Sequence, residues 1–151
     1  MRLVIQRVKS ASVSIEGQTY SAIDKGLLVL LGIQPTDAIE TIPWMIHKLI
    51  HMRIFADEQD KMNRDIQEVK GEILVVSQFT LYGDCAQGRR PSFTKSASGA
   101  VAQPLYNEFV HQLTQKIPIV KTGQFAAKME VTLINDGPVT MILESPLGQT
   151  K

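Results

Sequence analysis

Leu27-Leu28-Val29-Leu30-Leu31-Gly32-Ile33 decides the fold class. Leu27 to Leu31 is the longest apolar run in the chain, far short of the ~20 residues that a membrane-spanning helix needs. Asp24-Lys25-Gly26 punctuates the chain just before it, so the run reads as a strand. Because no polar residue alternates with the apolar ones, the strand is expected to be covered on both faces. A second run of this kind, Ile73-Leu74-Val75-Val76, lies within Glu72 to Gln78 and gives a second buried strand.

Outward from these two runs, Leu3 to Val8 and Ser12 to Ile15 are rich in Val and Ile and partly alternate, as strands do. Glu16-Gly17-Gln18 would turn the chain into a short strand around Tyr20 to Ile23. Met129 to Ile134 and Val139 to Leu143 read as two further strands, separated by Asn135-Asp136-Gly137-Pro138. Two segments carry helical periodicity. Ile39, Ile42, Ile46, Leu49 and Ile50 recur at spacings of three and four, and Val101, Leu105, Phe109 and Leu113 recur every four. Pro43 leaves the first helix open to two readings. Capped at Thr36 or Asp37 it must kink, because proline beyond the first turn costs ~3 kcal/mol; capped at Thr41 it starts late and accepts the proline. Asp57 to Asp65 and Tyr82 to Ser98 read as loops, and long loops in compact domains are commonly functional. Several strands, two helices and antiparallel-type turns make one α+β domain over residues 1–151.

Composition narrows the function. The chain has 151 residues, 44% hydrophobic and 21% charged, so one globular domain is expected rather than a disordered chain. Its net charge is +1, which removes bulk positive charge as a means of holding nucleic acid and leaves only a local patch. The single cysteine, Cys85, cannot form an intrachain disulfide. Charge returns at Arg7, too soon for a signal-peptide apolar region. The expectation is a cytoplasmic protein without a membrane span.

Conventional catalytic patterns are missing from the sequence. His47 and His51 share a helix face, but Lys48-Leu49-Ile50 between them lacks the glutamate of a metalloprotease helix and no third ligand is evident. No nucleophile elbow, phosphate-cradling loop or dinucleotide fingerprint occurs, so neither metal nor cofactor is expected. Two segments remain. Ser77-Gln78-Phe79-Thr80-Leu81 ends a buried strand, where hydroxyls and an amide either face a ligand or close local backbone groups. Asn135-Asp136-Gly137-Pro138 carries the Asp-Gly signal of a hairpin, while Pro after Gly allows a cis peptide with two carbonyls on one side.

Ser77-Gln78-Phe79-Thr80-Leu81-Tyr82 and Asn135-Asp136-Gly137-Pro138-Val139-Thr140 resemble the two signature motifs of the D-aminoacyl-tRNA deacylases. The resemblance spans nearly the whole chain. It includes Gln6-Arg7-Val8, Arg53-Ile54-Phe55, Lys61-Met62-Asn63, Gly88-Arg89-Arg90-Pro91-Ser92-Phe93 and Pro104-Leu105-Tyr106. Gln87 stands where that family often has a basic residue. The likeness implies a barrel-like antiparallel or mixed sheet with two helices outside it, in a homodimer. It also implies hydrolysis of the ester between a D-amino acid, or glycine, and the 3′-terminal adenosine of tRNA.

Site roles follow from the same likeness. Ser77 and Gln78 would bind the terminal adenosine or the ester end, and the backbone N–H groups of Phe79 and Thr80 would stabilise the oxyanion. An aminoacyl ester carries its own 2′-hydroxyl, so a side-chain base is not essential; the Thr80 hydroxyl as nucleophile is the rival. Gly137 and Pro138 of one subunit would enter the site of the other and exclude L side chains, with Arg7 holding them in place. Phe125 and Met129 resemble pocket-lining positions, with Phe125 set to pack on the adenine or the amino acid, and Arg89 and Arg90 would meet tRNA phosphates. A tRNA-binding module without hydrolysis and a deacylase of relaxed chirality are the alternatives.

Overall fold

Arg2–Ile15 forms one 14-residue strand, β1, in the computed structural model, which describes residues 1–146. The sequence suggested two strands here, but Lys9 and Ser10 interrupt only the apolar pattern. The ladder continues because a partner follows β1 along one whole edge. That partner is β8 (Glu130–Glu144), antiparallel to β1 from Arg2↔Glu144 to Ser14↔Glu130. On its other edge β1 pairs first with β3 (Gly26–Gly32) and then with β2 (Gln18–Ile23). β3 continues in parallel to β6 (Glu72–Ser77), and β6 in parallel to β7 (Val120–Thr122). The Ser21 hydroxyl donates to the Thr122 carbonyl at 2.7 Å, which brings β2 against β7 and nearly closes the mixed sheet into a barrel. The expected single domain runs to residue 151, of which residues 147–151 lie outside those described.

Both faces of the two apolar strands are covered, as their composition requires. Leu27, Val29, Leu31, Ile73 and Val75 face the helices, while Leu28, Leu74 and Val76 join Val8, Val13 and Ile23 inside the barrel. The first helix, α1 (Ile42–Ile50), starts late behind a short 3₁₀ turn at Ile39–Thr41. Pro43 therefore sits in its first turn, where the missing N–H has no cost. The late start leaves Ile39 49% exposed, outside the core expected of it, and brings Met45 in beside Ile42, Ile46, Leu49 and Ile50. In α2 (Gly99–Thr114) the buried stripe is Ala102, Tyr106, Phe109 and Leu113. Val101 is exposed, so the every-four reading was one residue off at its N-terminal end. The segment expected as a loop over Asp57 to Asp65 carries a small hairpin, β4 (Phe55–Ala56) with β5 (Met62–Arg64).

Asn135-Asp136-Gly137-Pro138 is not a hairpin turn. Gln6 pairs with Thr140 and Val8 with Asn135, so four residues of β8 loop out opposite the single residue Arg7 while the strand keeps its direction. An Asp-Gly hairpin needs its two flanks to pair with each other; here both pair with β1 instead.

Candidate active site

β6 ends at Ser77, and the chain turns at once into a 3₁₀ helix, Phe79–Tyr82. The turn is fastened from several sides. Gln78 N–H donates to the Leu31 carbonyl at 2.8 Å, Ser96 Oγ to the Phe79 carbonyl at 2.8 Å, and Arg2 Nη1 to the Leu81 carbonyl at 2.6 Å. Phe93 meets Phe79 edge-on, with ring centroids 5.1 Å apart. Hydrogen bonding within the turn begins with Leu81 N–H donating to the Gln78 carbonyl, so the N–H groups of Phe79 and Thr80 come before the first bond and donate to no acceptor among the described residues. The Thr80 hydroxyl accepts a hydrogen bond from the Gln78 side-chain amide.

Beside this turn lies a cavity of about 530 Å³. Ser77, Gln78 and Phe79 form one end, with Ala97, Gly99 and Ala102 at the start of α2. Tyr106, Phe125, Ala126, Ala127 and Met129 form the other. The Tyr106 and Phe125 rings lie 5.6 Å apart, and the Tyr106 hydroxyl donates to the Val75 carbonyl at 3.0 Å. Burial pushes the Tyr106 phenol well above its ordinary value, so it stays a neutral donor and wall. Among the described residues no other titratable side chain lines the cavity, whose wall carries the Ser77 hydroxyl, the Gln78 amide and aromatic rings. Among the described residues no cluster of three or more His, Cys, Asp or Glu suits a metal ion. The His47 and His51 rings lie 4.6 Å apart and tilted at 58°, and His51 Nδ1 lies 3.4 Å from Asp65 on an exposed edge.

Ser77, Gln78, Phe79, Phe125 and Met129 are thus brought together, with Thr80 adjoining. Arg7, Gly137 and Pro138 lie elsewhere, on the β1–β8 ladder. Arg7 Nε donates to the Asp136 carbonyl at 2.9 Å and its Nη1 to the Ile54 carbonyl at 2.6 Å. Asn135 closes the neck of the looped segment, accepting from Val139 N–H at 2.7 Å and donating to the Val139 carbonyl at 3.3 Å. The Gly137–Pro138 peptide is cis, and both residues are exposed. Gly137 has φ +142°, and a Cβ there would lie 2.7 Å from Val139 Cγ2. Arg89 and Arg90 are exposed in the 82–98 loop, which is pinned by an Asp84–Ser92 bridge and the Lys95–Asp84 ion pair at 2.8 Å. That ion pair, with the Ala86 N–H, holds the Asp84 carboxyl below its ordinary value. Tyr106 and the small residues Ala97, Gly99 and Ala102 received no role from sequence. Their signal was the cluster of small residues at the start of α2, which leaves room for a ligand.

Fold and cavity define a class: a nearly closed α+β barrel with two outer helices and a cavity at the end of a central parallel strand, beside a turn whose first two N–H groups are unbonded among the described residues. Comparison with known proteins makes the class specific. Residues 4–144 match the family model described as D-Tyr-tRNA(Tyr) deacylase. The D-aminoacyl-tRNA deacylase of Protochlamydia amoebophila (strain UWE25) is 57% identical over 145 residues, 96% of each chain. That of Chlorobaculum parvum (strain DSM 263 / NCIMB 8327) is 54% identical over 147 residues, 97% of this chain and 99% of its own. Among solved structures, one titled c-Myc DNA Unwinding Element Binding Protein superposes with a TM-score of 0.91 at 40% identity, covering 97% of this chain and 99% of its own. A probable eukaryotic D-amino acid tRNA deacylase shares the fold, with a TM-score of 0.78 at 19% identity and coverage of 94% and 97%. The chain belongs to the D-Tyr-tRNA(Tyr) deacylase family and is, with that family, a hydrolase.

Proposed function

We propose that the protein hydrolyses the ester of D-aminoacyl-tRNA, and of glycyl-tRNA, as a cytoplasmic homodimer that spares L-aminoacyl-tRNA. The cavity takes the terminal adenosine and its ester. Ser77 and Gln78 bind the nucleoside or ester end, Phe125 and Met129 pack on adenine or amino acid, and the N–H groups of Phe79 and Thr80 receive the developing oxyanion. Water attacks the ester carbonyl with help from the substrate's own 2′-hydroxyl. The observation that carries this reading is the pair of unengaged N–H groups beside a cavity with no side-chain base. An activated ester needs orientation and oxyanion stabilisation more than a proton relay.

Chirality follows from a wall supplied by the second subunit. Gly137 and Pro138 stand on β8 and do not line this chain's own cavity, and Arg7 and Asn135 brace the looped segment by hydrogen bonds. On the same strand Ile134 is 56% and Ile142 69% exposed, a surface suited to a second copy. An L side chain would meet the Gly137-Pro138 carbonyls, a D side chain would point to open space, and glycine would pass. Arg89 and Arg90 meet acceptor-stem phosphates. The deciding experiment compares release of tyrosine from D-tyrosyl-tRNA and L-tyrosyl-tRNA in the presence of a chelator. Rapid hydrolysis of the D form alone is expected. Hydrolysis of both would remove the wall, and binding without hydrolysis of either would leave a tRNA-binding module.

A further inference from the structure

A second cleft, of about 460 Å³, opens on the far side of the Tyr106–Phe125 pair. It shares those two residues with the cavity, so the two are successive chambers along α2. Gly99, Ala102 and Tyr106 line the first; Gln103, Asn107, Val110, His111 and Thr114 carry the second onward, away from the Ser77–Phe79 end. Tyr20 of β2 and Gln124 beyond β7 complete its walls.

The lining chemistry selects the ligand. Among the described residues no Asp, Glu, Lys or Arg lines the cleft, so it is suited to an uncharged part of a ligand, not to a phosphate or carboxylate group, which calls for a cation. A single imidazole does not hold a metal. What the cleft offers is an aromatic ring, 51% exposed, over an apolar floor at Val110, with three carboxamides around it. The side-chain amides of Gln103, Asn107 and Gln124 and the Tyr20 hydroxyl make no hydrogen bond within the described residues. A carboxamide pairs a donor with an acceptor, as the edge of a nucleobase does, and an exposed ring stacks a base face.

We propose that this cleft binds the base of the penultimate nucleotide of the substrate's single-stranded 3′ end, stacked on Tyr20 with its edge held by Gln103 and Asn107 and its phosphates left outside. The inference rests on the reading that the terminal adenosine and its ester occupy the first cavity. With the ester at Ser77–Phe79 and the adenosine toward Phe125, the RNA leaves past the Tyr106–Phe125 pair, and the next nucleotide falls in the cleft.

The test uses two truncated substrates, D-tyrosyl-adenosine and the D-tyrosyl ester of the dinucleotide cytidylyl-adenosine. In the unaltered protein the added nucleotide is expected to raise kcat/KM by about tenfold, the order that one base–aromatic stack contributes. Tyr20→Ala, and the Gln103→Ala/Asn107→Ala pair, lose most of that gain yet cleave D-tyrosyl-adenosine at the unaltered rate. Tyr20→Phe keeps the gain, because the ring stays. No gain in the unaltered protein, a gain that the variants retain, or an equal loss on both substrates overturns the proposal. Cleavage of D-tyrosyl-tRNA alongside any of these results overturns the subsite alone; if the unaltered protein fails on D-tyrosyl-tRNA too, the reading of the first cavity falls with it.

Discussion

Arg7 faces the looped residues of β8 across a single ladder position, and its 12% exposed side chain ties two separate segments together. Its bonds to the Asp136 and Ile54 carbonyls are charge-assisted, and the Asp136 carboxylate lies 3.6 Å from Nε. Arg7→Ala leaves two carbonyls without their donor and is expected to lower stability by about 2–4 kcal/mol in urea unfolding. Arg7→Lys recovers only part of this, since one ammonium cannot reach both acceptors in the planar fork. Thr80 presents the opposite case. Its hydroxyl already accepts from the Gln78 amide and has no base beside it, so it is poorly placed to be a nucleophile. Thr80→Ala is therefore expected to keep kcat/KM on D-tyrosyl-tRNA within about tenfold of the unaltered protein. Complete loss, with an acyl-enzyme trapped on the unaltered protein, would restore the hydroxyl as nucleophile. Both motifs were visible as residue types in the sequence. Which neighbours each side chain reaches was not, because Arg7 and Asp136 are 129 positions apart.

The elements differ in how plainly the chain announces them. β3 and β6 were legible because both faces are buried, and only a strand of apolar residues satisfies that. β7 was not, since three residues carry no period. The β4–β5 hairpin was hidden because Met62 and Asn63 are exposed, and a polar strand looks like a loop. The looped segment of β8 misled for a deeper reason: Asp-Gly reads as a local turn signal, whereas the pairing that decides the matter is with β1, more than a hundred residues away. Close approach between elements is a further property that sequence alone understates. Gly26 opens β3 where it meets Glu72 at the start of β6. A Cβ there would sit on the Glu72 carbonyl oxygen and 2.6 Å from its amide nitrogen, which are backbone atoms that cannot swing aside. Gly26→Ala must push the two parallel strands apart at their first pair. It is expected to cost at least about 2 kcal/mol, read as a lowered midpoint in urea with an unchanged slope.

At the scale of the whole molecule, one chain holds the two halves of the proposed site on different surfaces. The cavity lies between β6, the start of α2 and the 123–129 segment, and the Gly137-Pro138 projection stands on the outer strand β8, which pairs only with β1 among the described residues. Gly137 and Pro138 are braced by Arg7 and Asn135 but do not line this chain's own cavity, and under the proposed function a second chain receives them. That arrangement gives a test in which one chain's chirality depends on its partner's loop. A chain with an intact cavity but Gly137→Ala/Pro138→Ala is expected, as its own homodimer, to cleave both D- and L-tyrosyl-tRNA. A chain with Ala97→Trp keeps the loop and has its cavity filled by the added ring. Co-expressed under different tags and purified as the mixed dimer, the one working cavity faces the one intact loop. The mixed dimer should again spare L-tyrosyl-tRNA while hydrolysing the D form at roughly half the rate of the unaltered dimer, one site of two being active. If each cavity were instead governed by its own loop, the mixed dimer would go on cleaving the L form, and exchange between subunits would be excluded.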